Sequence, residues 1–492
     1  MPPGLLEECQ LWTTIETDRF WTIPEEELVE QIYAAFKSET DRLRSAWAIE
    51  RNTPPLLVGS PASRTPSEII FGEDYDEVNR TYTGILALRW TWTEDYERFT
   101  NGQVDAVKLT HKSFDWLRSF FKENIRSSQD LLSVVLSMVV NDLGKDPALV
   151  EDYFHQTSIA LHGSNHDTIL LEAAKHGLIP SMEYLDQAHR DDIILGLELG
   201  SELNAGQLAQ AENVPVNLEG LLSMQGNERA FNLKFIEQML DVAGAAGHVF
   251  AAGSKNMIEP VFQAFKTVHE VSMCIIKKEC TLREGYDQVL SKRAHMLYEQ
   301  GFKHLSIEDR EQRAELRLLT MARAATLEQA QLIDSAFNAL DQLHKLLLIE
   351  GLNIDAINDN ETAVIPYYMP AMFAETIRNT RDSGKEQEAI TSLMRYLARV
   401  LKWTDTPTIP GTLSPLREGQ ASTWPLDGPK LSLQIPATSA FQQKEGRVVE
   451  RNVSRARDTI SSPLFREDPS VLDRLDTPEG QVLQRRRTSA SV

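Results

Sequence analysis

The sequence predicts an all-α fold, a multi-helix bundle. Helical hydrophobic periodicity runs from about Asp76 to residue 402 with few alternating stretches that would call for strands, and several of the periodic runs open on helix-capping residues. The chain has 492 residues, 42% of them hydrophobic, enough for about two to four average domains and a sizeable core.

Residues 24–50, "PEEELVEQIYAAFKSETDRLRSAWAIE", begin with Pro24 and three glutamates, where acids complement the helix dipole. Leu28, Ile32, Tyr33, Phe36, Leu43 and Trp47 then share a face, so one amphipathic helix is expected. The next stretch, "NTPPLLVGSPASRTPSE", holds four prolines in 17 residues and predicts a loop. Trp90, Trp92, Tyr96 and Phe99 are expected in the core. Ser306 with Asp309, and Thr326 with Gln329, read as capping boxes, the second opening a helix that stops at Gly351. From Trp403 the pattern lapses: nine of the 22 prolines lie in residues 404–492, among scattered Ser, Thr, Gln and Arg. Such a segment buries too little apolar surface to offset its ordering entropy and predicts a disordered tail over 403–492. The remaining divisions are an N-terminal helical region (1–104), a helical core (105–255) and further helices packed on it (256–402). No internal repeat is visible.

Charge narrows the function. The first 410 residues carry 38 Lys and Arg against 62 Asp and Glu, a balance that repels phosphate backbones and anionic lipid, so neither nucleic acid nor membrane is an expected partner. Cys9, Cys274 and Cys280 include no CxxC pair, against a disulfide framework or a thiolate zinc site. The start, "MPPGLLEECQLWTTIETDRF", is acidic and lacks the basic step and apolar core of a signal peptide, and no window reaches 18 consecutive apolar residues. The expectation is a cytoplasmic protein. Phosphate-loop, dinucleotide and GxSxG motifs are missing from the sequence.

One stretch stands out. Behind the apolar run "LLSVVLSMVV" comes Asn141-Asp142-Leu143-Gly144-Lys145, then Pro147. This register resembles the metal-binding helix of the HD-domain superfamily, whose signature is His-Asp, an apolar residue, Gly and Lys; Asn141 stands where that family has histidine. The resemblance covers about residues 105–255. It implies an earlier histidine, for which His111 lies 30 residues before Asn141, and a later aspartate. Asp241 is the first choice for that aspartate, Asp186 and Asp192 its rivals, and His162 or His166 would add a ligand. The implied chemistry is phosphohydrolysis of a small phosphate ester or nucleotide. A divalent cation on His111, Asn141, Asp142, Asp241 and His162 or His166 would polarise a phosphoryl oxygen and acidify a bound water, with Lys145 and Asp142 at the catalytic position. A carboxamide oxygen at 141 favours Mg²⁺ or Mn²⁺ over Zn²⁺ or iron.

Plainer roles stay open for the same residues. Asn141–Pro147 reads equally as a helix end, with Gly144 as a left-handed stop and Lys145 on the C-terminal dipole. His111 reads as a half-buried histidine on an amphipathic helix. "HGSNH", residues 162–166, reads as a loop and N-cap, and His176 with Gly177 as a helix C-terminus. Asp241, followed by "VAGAAG", reads as a buried acid needing a partner, where small residues admit a neighbouring helix. The alternative function is therefore a non-catalytic helical scaffold with a vestigial pocket. Arg485–Arg487 before Thr488, Ser489 and Ser491 resemble a basophilic kinase site, making a kinase or other protein partner at the tail a further expectation.

Overall fold

The computed structural model describes residues 9–46, 64–161, 165–358, 361–402 and 448–474, the last without 453–455, 457–459 and 462. It is all-α apart from one short strand pair, and it divides into two units, residues 1–331 and 332–492. The first unit opens with α1 (Gln10–Glu16), α2 (Glu25–Ala35), α3 (Lys37–Leu43), α4 (Pro66–Phe71), α5 (Asp76–Trp92), α6 (Tyr96–Phe99), α7 (His111–Asn124) and α8 (Ser128–Val140). It continues with α9 (Pro147–Thr157), α10 (His166–Lys175), α11 (Gln187–Glu202), α12 (Ala205–Ala209), α13 (Glu228–Gly244), α14 (Glu259–Ile276), α15 (Leu282–Glu299) and α16 (Arg310–Met321). The division falls within α17 (Leu327–Asn338).

The centre of the first unit is α8, apolar on nearly every side, with α13 laid against α5, α8 and α11. Of the aromatic group, Trp90 and Phe99 are buried, and Trp92 stacks on Trp21 with ring centroids 4.3 Å apart. Among the described residues no helix is long and apolar enough to cross a membrane.

The second unit contains α18 (Gln342–Leu352), β1 (Ala363–Tyr367), α19 (Met369–Thr380), α20 (Glu386–Lys402), β2 (Val448–Asn452) and α21 (Pro463–Glu467), followed by a 3₁₀ turn over Pro469–Arg474. Strands β1 and β2 pair in parallel, Ala363 opposite Val448 and Tyr367 opposite Asn452. Helix α20 buries Ile390, Leu393, Met394 and Leu397 against α18 and α19.

Several local expectations change. The described part of this run forms two helices, because Phe36 leaves helical geometry at φ −118°, ψ 39° with its ring fully buried, an anchor that outweighs continued periodicity. Residues 47–63 lie outside the described residues. The end of the proline-rich loop instead starts α4, where Thr65 and Glu68 form a capping box around Pro66 at the first helical position. Asp309, not Ser306, caps α16, its carboxylate accepting the Gln312 amide at 2.9 Å. The Thr326–Gln329 box forms, but the helix it opens ends at Asn338, and Asp341 starts α18 separately. Within the expected tail, residues 403–447 and 475–492, including the kinase-like site, lie outside the described residues. The piece between them is built into the second unit: Asp473 pairs with Arg395 at 3.0 Å, and Ile460, Phe465 and Leu472 are buried. Few apolar residues suffice there because they land on surface that α20 has already ordered.

Candidate functional site

The stretch after α8 folds as a tight connection between helices. Asn141 closes α8, residues 143–145 make one 3₁₀ turn, and Asp146 caps α9 with Pro147 at its first position. Gly144 does not take the left-handed conformation expected of a stop. It is glycine for clearance, since a Cβ there would lie 1.8 Å from the His166 carbonyl oxygen at the start of α10. Gly244 does the same for α13, where a Cβ would lie 2.2 Å from the Arg80 carbonyl oxygen of α5. The small residues after Asp241 therefore admit a neighbouring helix, and that helix brings charge with it.

What converges is a cluster from three elements: Glu77 and Arg80 on α5, Asp142 and Lys145 on the turn, and Asp241 on α13. The Lys145 Nζ lies 2.8 Å from Glu77 Oε1 and 2.8 Å from Asp142 Oδ1, and Arg80 Nη1 donates to both Glu77 oxygens at 2.9 and 3.0 Å. Glu77 is fully buried and Asp142 nearly so. Asp241 is half-buried, with protein on nearly every side, and has no hydrogen-bond or ion-pair partner among the described residues.

The two bridged carboxyls titrate far apart. Burial, helped by the Asp142 charge, pushes Glu77 up to about 7 against the pull of Lys145 and Arg80. Burial works on Asp142 as well, but there the Lys145 and Arg80 charges more than offset it and bring the group down to about 2. Asp241 is raised by burial and then by Asp142. Lys145 is raised despite its burial, by Asp142 and Glu77. Two cations thus face three carboxyls, and a proton on Glu77 balances them near neutrality.

Of the expected site residues, Asp142 and Lys145 pair directly at 2.8 Å, and Asp241 lies near enough to be raised by the Asp142 charge. His111 does not join them: it lies exposed in the first turn of α7, its ring stacked on Tyr96 at 3.7 Å. An aromatic shelf on α6 holds it in place of a metal. Asn141 is half-buried, and its side chain makes no hydrogen bond among the described residues. His166 meets the site through its backbone; its ring points to Asp167 at 3.6 Å and is 43% exposed. His162 lies outside the described residues. Asn165 caps α10, accepting the Thr168 amide at 2.7 Å, and His176 with left-handed Gly177 ends that helix. The rival acids are engaged elsewhere: Asp186 caps α11 and holds His189 at 2.7 Å, while Asp192 pairs with Arg229.

Glu77 and Arg80 were missed. Glu77 reads in sequence as a first-turn acid on α5, an ordinary dipole complement, and nothing in linear spacing shows that Lys145 will cover it.

Residues 29–472 match the profile of a family of unknown function, DUF6829. The chain belongs to that family. No curated protein and no solved structure matches it.

The cluster can also be weighed against the divalent cation that the HD resemblance implies. As placed, the donors do not fit one. An ammonium already lies between two of the carboxyls, one carboxyl holds its proton to about neutrality, and His111 is elsewhere. Among the described residues no three His, Cys, Asp or Glu side chains group as metal ligands.

Proposed function

We propose that this chain is a non-catalytic α-helical interaction protein whose HD-like pocket is closed by its own cation. The observation that supports this reading is the Lys145 ammonium, equidistant at 2.8 Å from Glu77 and Asp142, in the position that a shared divalent ion would need. A buried ion network of this kind holds three elements in one register, at a desolvation cost its own pairings must offset. A second reading, a metal-dependent phosphohydrolase, draws on Asp241, a half-buried carboxylate raised by the Asp142 charge and without a hydrogen-bond or ion-pair partner among the described residues.

Metal content separates the two. Elemental analysis of the purified full chain is expected to find no stoichiometric metal, and Mn²⁺ or Mg²⁺ to leave its thermal unfolding unchanged. Lys145→Met removes the internal cation and should make the variant responsive to Mn²⁺, because three carboxyls are then left facing one arginine. Stoichiometric metal in the wild-type chain that Asp142→Ala abolishes, together with metal-dependent release of phosphate from a phosphate ester, would favour the hydrolase reading instead.

A further inference from the structure

We propose that the groove between α14 and α15 is a binding site for a small organic oxyanion, anchored by the Arg293 guanidinium. The groove encloses about 310 Å³, within the size range of small-molecule pockets. Its walls include Pro260, Ala264, Val289 and Met296, and it lies well apart in sequence from the residues around Asp142.

Arg293 is the anchoring group. It donates Nη1 to the Ala324 carbonyl at 2.8 Å, and among the described residues no carboxylate pairs with it. Burial alone, with no acid opposing it, pushes its pKa down to about 10. Other little-exposed arginines of the first unit are held in two ways: Arg80 has Glu77 and Arg313 has Asp287 at 2.8 Å, whereas Arg317 donates to the backbone carbonyls of Ala211 and Asn213. A guanidinium taken from water without a counter-charge is costly, and an incoming oxyanion supplies what is missing in the two-pronged geometry that arginine favours.

The rest of the lining agrees in sign. Lys266 and Lys292 both face Glu270, at 4.0 and 3.8 Å, so one acid serves two ammonium groups. Glu299 pairs with His295 at 3.3 Å, and both are largely exposed at the rim. The lining is therefore positive in a chain of net charge −22. A ligand with a phosphate or carboxylate head on Arg293 would lay its apolar body along Val289 and Met296. The head group is the shared chemistry, and the probes distinguish its two forms.

The test is calorimetric titration of the full chain with phenyl phosphate, benzoate and inorganic phosphate. One aromatic anion is expected to bind with a 1:1 stoichiometry and a Kd below about 1 mM, more tightly than inorganic phosphate, which leaves the apolar wall uncovered. The tighter of the two aromatic anions identifies the head group. Arg293→Met should weaken that binding about tenfold or more. Since this change also removes the bond to Ala324, Ala264→Trp serves as the second variant: it fills the groove, leaves Arg293 in place and should abolish binding. Absence of binding by every probe at about 10 mM, or binding that survives in both variants, overturns the proposal.

Discussion

Around Asp142 the first unit buries charge, with Glu77, Arg80 and Lys145 within hydrogen-bonding distance of one another or of Asp142, while around α20 the second unit buries hydrocarbon. In the apolar interior each side chain contributes by the volume it fills, and an apolar replacement of similar size keeps most of that contribution. In the charged interior the set as a whole adds little net stability, but losing one member is costly, since the others are left with desolvation that nothing offsets. The first kind of interior supplies stability. The second fixes which residues must meet, and makes that meeting responsive to protons.

The largest effect should come from breaking the charged set. Asp142→Ala leaves Lys145 and Arg80 short of a counter-charge and is expected to cost ~3–5 kcal/mol in urea denaturation. Removing Lys145 in the same chain, as Asp142→Leu with Lys145→Met, should cost less than the two single changes added together. Additive costs would show that the cluster is not one unit. In the apolar interior Leu397→Ala should cost ~2–5 kcal/mol, and Leu397→Met should recover most of it. Were Leu397→Met as damaging as the alanine change, the contrast between the two interiors would fail.

The pH response comes from Glu77. Its folded pKa of about 7 lies above the ordinary 4.5, so the folded state holds the proton more tightly than the unfolded one. Stability from this group is present below about 4.5 and declines as pH rises toward 7. Asp142 has the opposite sign: depressed to about 2, it contributes in full above 3.8 and loses that contribution only in strong acid. Glu77→Gln should therefore unfold at a temperature that gains on wild type by a few degrees between pH 5 and 8. A constant offset across that range would mean that Glu77 carries no proton near neutrality. The smallest effect is local: Asn165→Ala, which loses the α10 cap beside the cluster, should cost ~1 kcal/mol in the same denaturation experiment.

Much of this was legible in the sequence. The Thr326–Gln329 box, the Asn165 cap and the Gly177 stop are short-range chemistry and formed where spacing placed them. That a helix packs closely on the stretch after Asp241 could also be anticipated, because "VAGAAG" is small enough to admit one. That the close helix is α5 could not, since Glu77 and Arg80 sit in an ordinary amphipathic pattern and acquire their role only through packing. His111 failed for a related reason. Its interval to Asn141 suited a ligand, but interval says nothing of direction, and Tyr96 offered the ring a nearer surface. The division at Phe36 and the separation of α17 from α18 are tertiary effects of the same type, in which one buried ring or one capping carboxylate overrides periodicity.

The parallel pairing of β1 with β2 has a topological consequence. Residues 363–367 and 448–452 are neighbours in space, so the chain between them closes a ring sealed by a backbone ladder and by the Arg395–Asp473 pair. A single cut anywhere in 403–447 would open that ring without freeing β2 or the segment up to residue 474. The nicked molecule should travel as one particle under native conditions and as two fragments in detergent, whereas a chain ended at residue 402 would leave β1 without its partner strand and α20 without the cover of Leu472.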